Sequence, residues 1–148
     1  MNYQVVLVEG YPAEQLGDIA RLAAGIDRFD LPTFEQQLRH RDGILNCLAY
    51  VDGVLVGYKI GFRERPGYFE SWVGAVAPEH RGKGIATALM KAQHEWCAKS
   101  GFAIVSTVTT GDNRAMLIAN LKAGFEVCGT FWDRHKILKV ILQKSLKK

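Results

Sequence analysis

Between Tyr68 and Lys99 the chain switches from one periodicity to another, and this switch limits its fold more than any other feature. Tyr68 to Ala77 reads as a strand, stopped by Pro78, which has no N–H to give a ladder. Arg81-Gly82-Lys83-Gly84-Ile85-Ala86-Thr87 follows. A helix then places Ile85, Ala88, Leu89, Ala92 and Trp96 on one face, with Lys91, Glu95 and Lys99 off it. A helix start carries unpaired N–H groups and a partial positive charge, so a strand–turn–helix of this kind is suited to a phosphate. Gly82 and Gly84 permit positive φ and close approach. Arg81 and Lys83 add charge, Ala86 is small, and Thr87 offers a hydroxyl. The alternative is a plain tight turn with solvated charges. Two phosphate patterns are excluded: GxGxxG needs glycine where Thr87 stands, and Walker A needs a closing Gly-Lys-Ser/Thr.

The elements around the switch define the fold class. Gln4 to Glu9 reads as a strand, and Pro12 to Gly25 as a helix carrying Leu16, Ile19, Ala20, Leu22 and Ala23. Phe29 to Pro32 reads as a loop, after which Thr33 caps a short helix with Phe34, Gln37 and Leu38. Ile44 to Val51 and Val54 to Phe62 form a hairpin around Asp52-Gly53, a pair suited to a type I′ turn. Pro66-Gly67 makes a second turn. Beyond the central helix, which ends at Ser100-Gly101, Ala103 to Val108 is a strand. Asp112 or Asn113 caps a helix through Lys122, and Phe125 to Phe131 and Ile137 to Leu142 are final strands. This order implies an α/β (α+β) fold: a mixed, mostly antiparallel sheet of about six to seven strands with helices on both faces, partly parallel at the central crossover.

Several functional classes drop out. The 148 residues suit a single domain, 1–148, large enough for a core without disulfides. No apolar run approaches the roughly 20 residues of a membrane span, so no membrane partner is expected. Met1-Asn2-Tyr3-Gln4 leads straight into a strand, which is unlike a secretory leader and makes a cytoplasmic location the expectation. The net charge of +4 is mild. Lys139, Lys144, Lys147 and Lys148 read as a solvated basic end, and no nucleic-acid motif is present. Cys47, Cys97 and Cys128 have no ligand spacing and read as small buried hydrophobes, so no metal site is expected.

The string from Val76 to Leu89 resembles the acetyl-CoA signature of the GNAT superfamily, the GCN5-related N-acetyltransferases. The family's Arg/Gln-x-x-Gly-x-Gly/Ala reads here Arg81-x-x-Gly84-x-Ala86. A second family block, an Asn opening a helix that ends in Gly-Phe, reads Asn113 through Gly124-Phe125, and the resemblance spans roughly Ile44 to Phe131. It implies the GNAT fold and acetyl-CoA as cofactor. The pyrophosphate would lie on the amides of Gly82, Lys83, Gly84, Ile85, Ala86 and Thr87, flanked by Arg81. The pantetheine arm and acetyl group would lie along Gly74, Ala75 and Val76, one strand amide serving as oxyanion donor. Asn113 would contact the cofactor arm or act as a helix cap, or both. Family members often form homodimers; the oligomeric state here is open.

The implied reaction is direct transfer of acetyl from the thioester to a primary amine of a small molecule or a protein. An alkyl ammonium, with pKa near ~10.4, must first lose a proton. Glu70 is the candidate base, because some family members carry a Glu at this place in the strand. In a regular strand it shares a face with Trp72, Gly74 and Val76, some ~13 Å from Gly74, a separation that a bulge or a water relay would bridge. An exposed strand carboxylate is the alternative. Many members protonate the leaving thiolate with a Tyr seven residues after the helix Asn, but here that position is Asn120, which cannot be a general acid. A non-catalytic acyl-CoA-binding or sensing domain is therefore the second hypothesis, and a nucleotide-binding protein of another class the third. His80, His40 and His94 read as surface residues, and His135 as part of a hairpin loop with Asp133 and Arg134. Phe29, Phe34, Tyr68, Phe69, Trp72, Phe131 and Trp132 are candidates for either core or an acceptor pocket.

Overall fold

The computed structural model describes residues 2–26 and 28–146. Seven strands form one sheet: β1 (Gln4–Glu9), β2 (Asp42–Val51), β3 (Val54–Arg65), β4 (Tyr68–Val76), β5 (Ile104–Thr110), β6 (Glu126–Trp132) and β7 (Leu138–Ser145). Their order is β1-β2-β3-β4-β5-β7-β6. Every pairing is antiparallel except β4 with β5, the strands on either side of the central helix. Among the described residues the four α-helices are α1 (Leu16–Ala24), α2 (Leu31–Arg39), α3 (Ile85–Lys99) and α4 (Arg114–Lys122). The expected mixed, mostly antiparallel sheet is therefore present. No helix among the described residues is long and apolar enough to cross a membrane.

Local chemistry explains the joints. Asp52 and Gly53 both take positive φ, 50° and 77°, as a type I′ turn requires. The second helix starts earlier than its sequence suggests. Asp30, not Thr33, is the cap: its carboxylate accepts from the Thr33 N–H at 3.0 Å, and Pro32 sits in the first turn, where a missing N–H costs nothing. Asn113 caps α4 by accepting from the Met116 N–H at 3.2 Å.

The helices lie on both faces of the sheet. A Cβ at Gly57 would sit 3.2 Å from Ile85 Cγ2 and 3.4 Å from Leu89 Cδ1, so the bare backbone there lets α3 pack closely. Phe62, on the opposite face of β3, meets Trp72, which stacks on Phe34 of α2 at 5.3 Å. Because α3 occupies its side of β3, α1 covers the other with Ile19 and Leu22. The buried stripe of α3 is Ile85, Leu89, Gln93 and Cys97 with His94, and so differs from the apolar stripe expected, since Ala92 and Trp96 are only partly buried. His94 is thus core, not surface. Cys47 and Cys97 are fully buried, and burial pushes both thiols up to about 12, whereas Cys128 is exposed on β6.

Candidate active site

β4 and β5 begin as neighbours and then part. Only Tyr68, Phe69 and Glu70 pair with Ile104, Val105 and Ser106, although β4 runs on to Val76 and β5 to Thr110. Just past the last pair the Thr107 hydroxyl donates to the Ser71 carbonyl at 3.1 Å, a side chain replacing the next ladder bond. Beyond it the strands diverge, and β5 turns to β7, with which it pairs along its full length. The result is a cleft inside the sheet with Glu70 and Ser106 at its apex.

The peptide groups that face this cleft follow from register. The Ala77 N–H donates to the Val56 carbonyl at 2.8 Å. Bonded and non-bonded pairs alternate along an antiparallel ladder, so Ala75 opposite Tyr58 and Val73 opposite Ile60 bond to β3. Gly74 and Val76 point their N–H and C=O groups the other way, into the cleft. The Val76 carbonyl is taken by Arg81, whose Nε donates to it at 3.0 Å. The Gly74 peptide and the Val76 N–H are left for a ligand. Of the three strand residues expected to face the cofactor, Gly74 and Val76 turn their peptide groups into the cleft, whereas the Ala75 backbone is spent on β3.

The mouth of the cleft is the glycine-rich turn. Gly82 and Gly84 have φ of 76° and 82°, and a Cβ on either would meet nothing within 4 Å. Backbone conformation, rather than crowding within the protein, requires glycine here, and the space above both stays open. Gly84 is the residue before α3, and no side chain caps that helix, so the amides of Ile85, Ala86 and Thr87 present their N–H groups outward. Arg81 is tied to the strand end by its bond to Val76, which fixes the turn against the cleft. This cradle fits a pyrophosphate, and the row of peptide groups behind it fits an amide-bearing arm. Asn113, spent on capping α4, has its Oδ1 committed to Met116.

At the apex β4 carries a one-residue bulge. Ile60 pairs with Val73 and Gly61 with Ser71, leaving Trp72 unmatched. The strand is therefore not regular, and the expectation that Glu70 shares a face with Gly74 and Val76 fails. Glu70 and Trp72 lie on the face of α2, with Phe62 opposite Glu70. Gly74 and Val76 lie opposite Lys59 and Gly57 on the face of α3. The bulge also shortens the path: Glu70 and Gly74 are matched to Phe62 and Lys59, three strand steps apart, or ~10 Å rather than ~13 Å.

Burial, reinforced by the nearby Glu64 charge and opposed by Arg41, pushes the Glu70 carboxyl up to about 7. The Arg41 guanidinium itself lies over the Phe62 ring at 4.2 Å. Phe29, Phe34 and Trp72 join Phe62 as an aromatic wall on this face. The other aromatics divide: Phe69 packs with Trp96 and Phe102 beneath α3, and Phe131 and Trp132 are exposed at the far edge of the sheet. Asn120 is buried and its amide donates to Thr109 at 3.5 Å. His135 and Asp133 are in the β6–β7 loop, where Asp133 accepts from the His135 and Ile137 N–H groups. Lys144, expected in a solvated tail, instead lies in β7 with its Nζ 3.2 Å from His94 Nδ1; Lys147 and Lys148 fall outside the described residues.

Comparison with known proteins agrees with this geometry. Residues 13–125 match the Acetyltransferase (GNAT) family. A curated relative, the L-2,4-diaminobutyric acid acetyltransferase of Nocardia farcinica, is 36% identical over 72 residues, covering 47% of this chain and 37% of its own. The chain thus spans little more than a third of that relative's length. Among solved structures, the ribosomal-protein-S18-alanine N-acetyltransferase of Escherichia coli superposes with a TM-score of 0.81 at 14% identity, over 98% of this chain and 96% of that one. A Salmonella typhimurium protein solved with its cofactor acetyl-CoA gives 0.78 at 17% identity, over 100% and 96%.

Proposed function

The chain belongs to the GNAT acetyltransferase family, and from that premise we propose that it moves an acetyl group from acetyl-CoA directly to a primary amine. The carrying observation is the parting of β4 from β5 after three pairs, which turns the Gly74 and Val76 peptide groups into an open edge leading to the uncapped start of α3. In this reading the turn from Arg81 to Thr87 holds the pyrophosphate, and the cleft edge holds the arm. Acetyl-CoA supplies an activated thioester carbonyl. The N–H groups of Gly74 and Val76 are preorganised donors where negative charge develops on that carbonyl oxygen.

The amine approaches from the face of α2. Glu70, at the apex and held near neutrality, removes its proton, directly or through water. The aromatic wall of Phe34, Phe62 and Trp72 excludes solvent beside it. A carboxyl of about 7 is a stronger base than an exposed one yet still ionises at physiological pH. The rate should therefore rise as pH passes upward through 7.

The buried Asn120 supports a second reading, an acyl-CoA-binding domain without turnover, since this side chain cannot supply a proton to the thiolate. Both readings are tested by heating the protein with acetyl-CoA, CoA, ATP or NAD, and by following thiol release from acetyl-CoA with a panel of amines. Stabilisation by acetyl-CoA with thiol release supports the enzyme; stabilisation without release from any amine supports the binding domain. No stabilisation by either CoA species defeats both.

A further inference from the structure

Beneath α3 lie three polar side chains that neither the fold nor the reaction above employs. Gln93 is fully buried, and neither its Oε1 nor its Nε2 has a partner. His94 is nearly as buried, and its Nε2 is likewise unpartnered. Lys59 of β3 is half-buried, and its ammonium has no hydrogen bond and no ion pair among the described residues. Unsatisfied polar groups in a core are costly, and one that persists in a cleft is a reason to look for the group that satisfies it.

Their place in the sheet indicates that group. Lys59 is matched to Gly74, the residue whose peptide faces the cleft, and a Cβ on Gly74 would lie 3.6 Å from Lys59 Cγ. Lys59 sits on β3 and Lys144 on β7, to either side of β4 and β5. The Lys144 Nζ lies 3.2 Å from His94 Nδ1, and the Lys59 charge acts on the same imidazole, so both cations reach His94. The groups facing Lys59 are the neutral Cys47 thiol from β2, His94 from α3 and the bare Gly74 from β4. None is a carboxylate. The α2 face of the cleft thus carries Glu70, with Arg41 over the neighbouring Phe62 ring, while the α3 face carries Lys59 opposite Gly74 and Lys144 beside His94. The helix on that second face is the one whose start would hold the pyrophosphate, so the sulfur reaches the apex from the cationic side.

We infer that Lys59 receives the leaving sulfur: its ammonium, set beneath α3 with Gln93 and His94, lies against the thioester sulfur and protonates it as the C–S bond breaks. The inference rests on the acetyltransferase reading of the same site. The new C–N bond forms from the amine lone pair, and the C–S electron pair goes to sulfur. The Lys59 Nζ proton converts the thiolate to the CoA thiol. Lys59 is reprotonated from solvent, to which Glu70 passes the proton it took from the amine. A free alkyl ammonium has a pKa near ~10.4 and a thiol near ~8.5, so an unperturbed lysine would keep its proton. Desolvation lowers Lys59 toward the thiol. His94, pushed down to about 4 by burial and by its two lysine neighbours, is neutral at pH 7 and leaves the role to Lys59. Lys59 in this way supplies the proton that Asn120 cannot.

The test is to titrate the thiol of bound CoA by its thiolate ultraviolet absorbance in wild type and in Lys59→Met, with desulfo-CoA binding as the control. The bound thiol should titrate about 1–3 pH units lower in wild type than in Lys59→Met. Desulfo-CoA should bind both equally, and turnover in the variant should fall about 10²-fold. A thiol that titrates at the same pH in both proteins overturns the assignment. Wild type alone also decides the matter, because a bound thiol that titrates like free CoA overturns it whether or not the variant folds. If neither CoA nor desulfo-CoA binds wild type, the acetyltransferase reading itself falls.

Discussion

The two faces of the sheet at the cleft apex are chemical opposites. On the α2 face Glu70 stands beside Glu64, among Phe34, Phe62 and Trp72. On the α3 face Lys59 and Lys144 flank His94, with Gln93 beside it and no carboxylate among the groups that act on them. In the proposed reaction, one face takes a proton from a cationic nucleophile and the other meets an anion. One ladder of hydrogen bonds, between β3 and β4, and a single sheet thickness separate Glu70 from Lys59. Acid and base functions can thus be kept apart by a backbone, without needing distance along the chain: Glu70 and Gly74 are four residues apart in sequence and on opposite faces in space.

The largest expected effect comes from destroying both faces at once. Gly61 lies beside the bulge, and a Cβ there would run into the Glu70 carbonyl oxygen and the Phe69 ring. Gly61→Ala should cost at least ~3 kcal/mol in chemical denaturation, the upper range for overpacking. An unchanged midpoint would show that the apex has slack. Next in size, Glu70→Gln should lower turnover by about 10²-fold or more and abolish the rise of rate through pH 7, while leaving CoA affinity intact. A retained pH limb would remove Glu70 from the chemistry and leave the α2 face merely acidic.

A smaller effect is expected at the mouth. Gly84→Val places a β-branched residue at φ 82°, at a cost of roughly 1–2 kcal/mol, and should weaken CoA about tenfold by calorimetry with the fold preserved. Equal affinity would make the turn structural only.

A further test separates the faces by the sign of their pH dependence. The Glu70 pKa is raised above its ordinary 4.5, so the folded state holds the extra proton, and stability falls as pH rises from 4.5 through about 7. The His94 pKa is lowered from 6.5 to about 4, so the unfolded state holds the extra proton, and stability falls as pH drops across that interval. Glu70→Gln should therefore be more heat-stable than wild type above pH 7, with the gap closing toward pH 4.5. A gap that grows on acidification would contradict the assigned environment of Glu70.

Much of the cofactor side was legible because it depends on backbone chemistry that sequence encodes locally. Glycine at positive φ, proline ending a strand and asparagine capping a helix are short-range statements, and the turn from Arg81 to Thr87 and the cap at Asn113 stand where the residues indicated. The chemistry side was less legible because it depends on tertiary register. No local signal announces that Trp72 will be unmatched, so Glu70 was placed on the wrong face relative to Gly74. His94 reads from sequence as a solvated helix residue, and Gln93 draws no reading at all, because polar helix residues are ordinarily exposed. The spacing of four from Leu89 to Gln93 and again to Cys97 was the available sign that Gln93 faces inward. Lys59 carried no sign at all: a lysine on a hairpin strand looks exposed until its neighbour across the ladder proves to be a glycine beside a cleft.

The bulge at Trp72 has a consequence for how such a site can vary. An unmatched residue works as a phase joint: the ladder to β3 resumes at Val73, and the alternation along β4 is inverted relative to the one it left at Ser71. In the proposed reading, the segment that would meet the acceptor and the segment that would meet the cofactor share one strand without sharing one frame. Changes in the acceptor segment can be absorbed at the joint, and the Gly74 and Val76 peptides keep their aim. A lineage could retune its choice of amine while its thioester grip stays constant, which is a form of modularity inside a nine-residue strand.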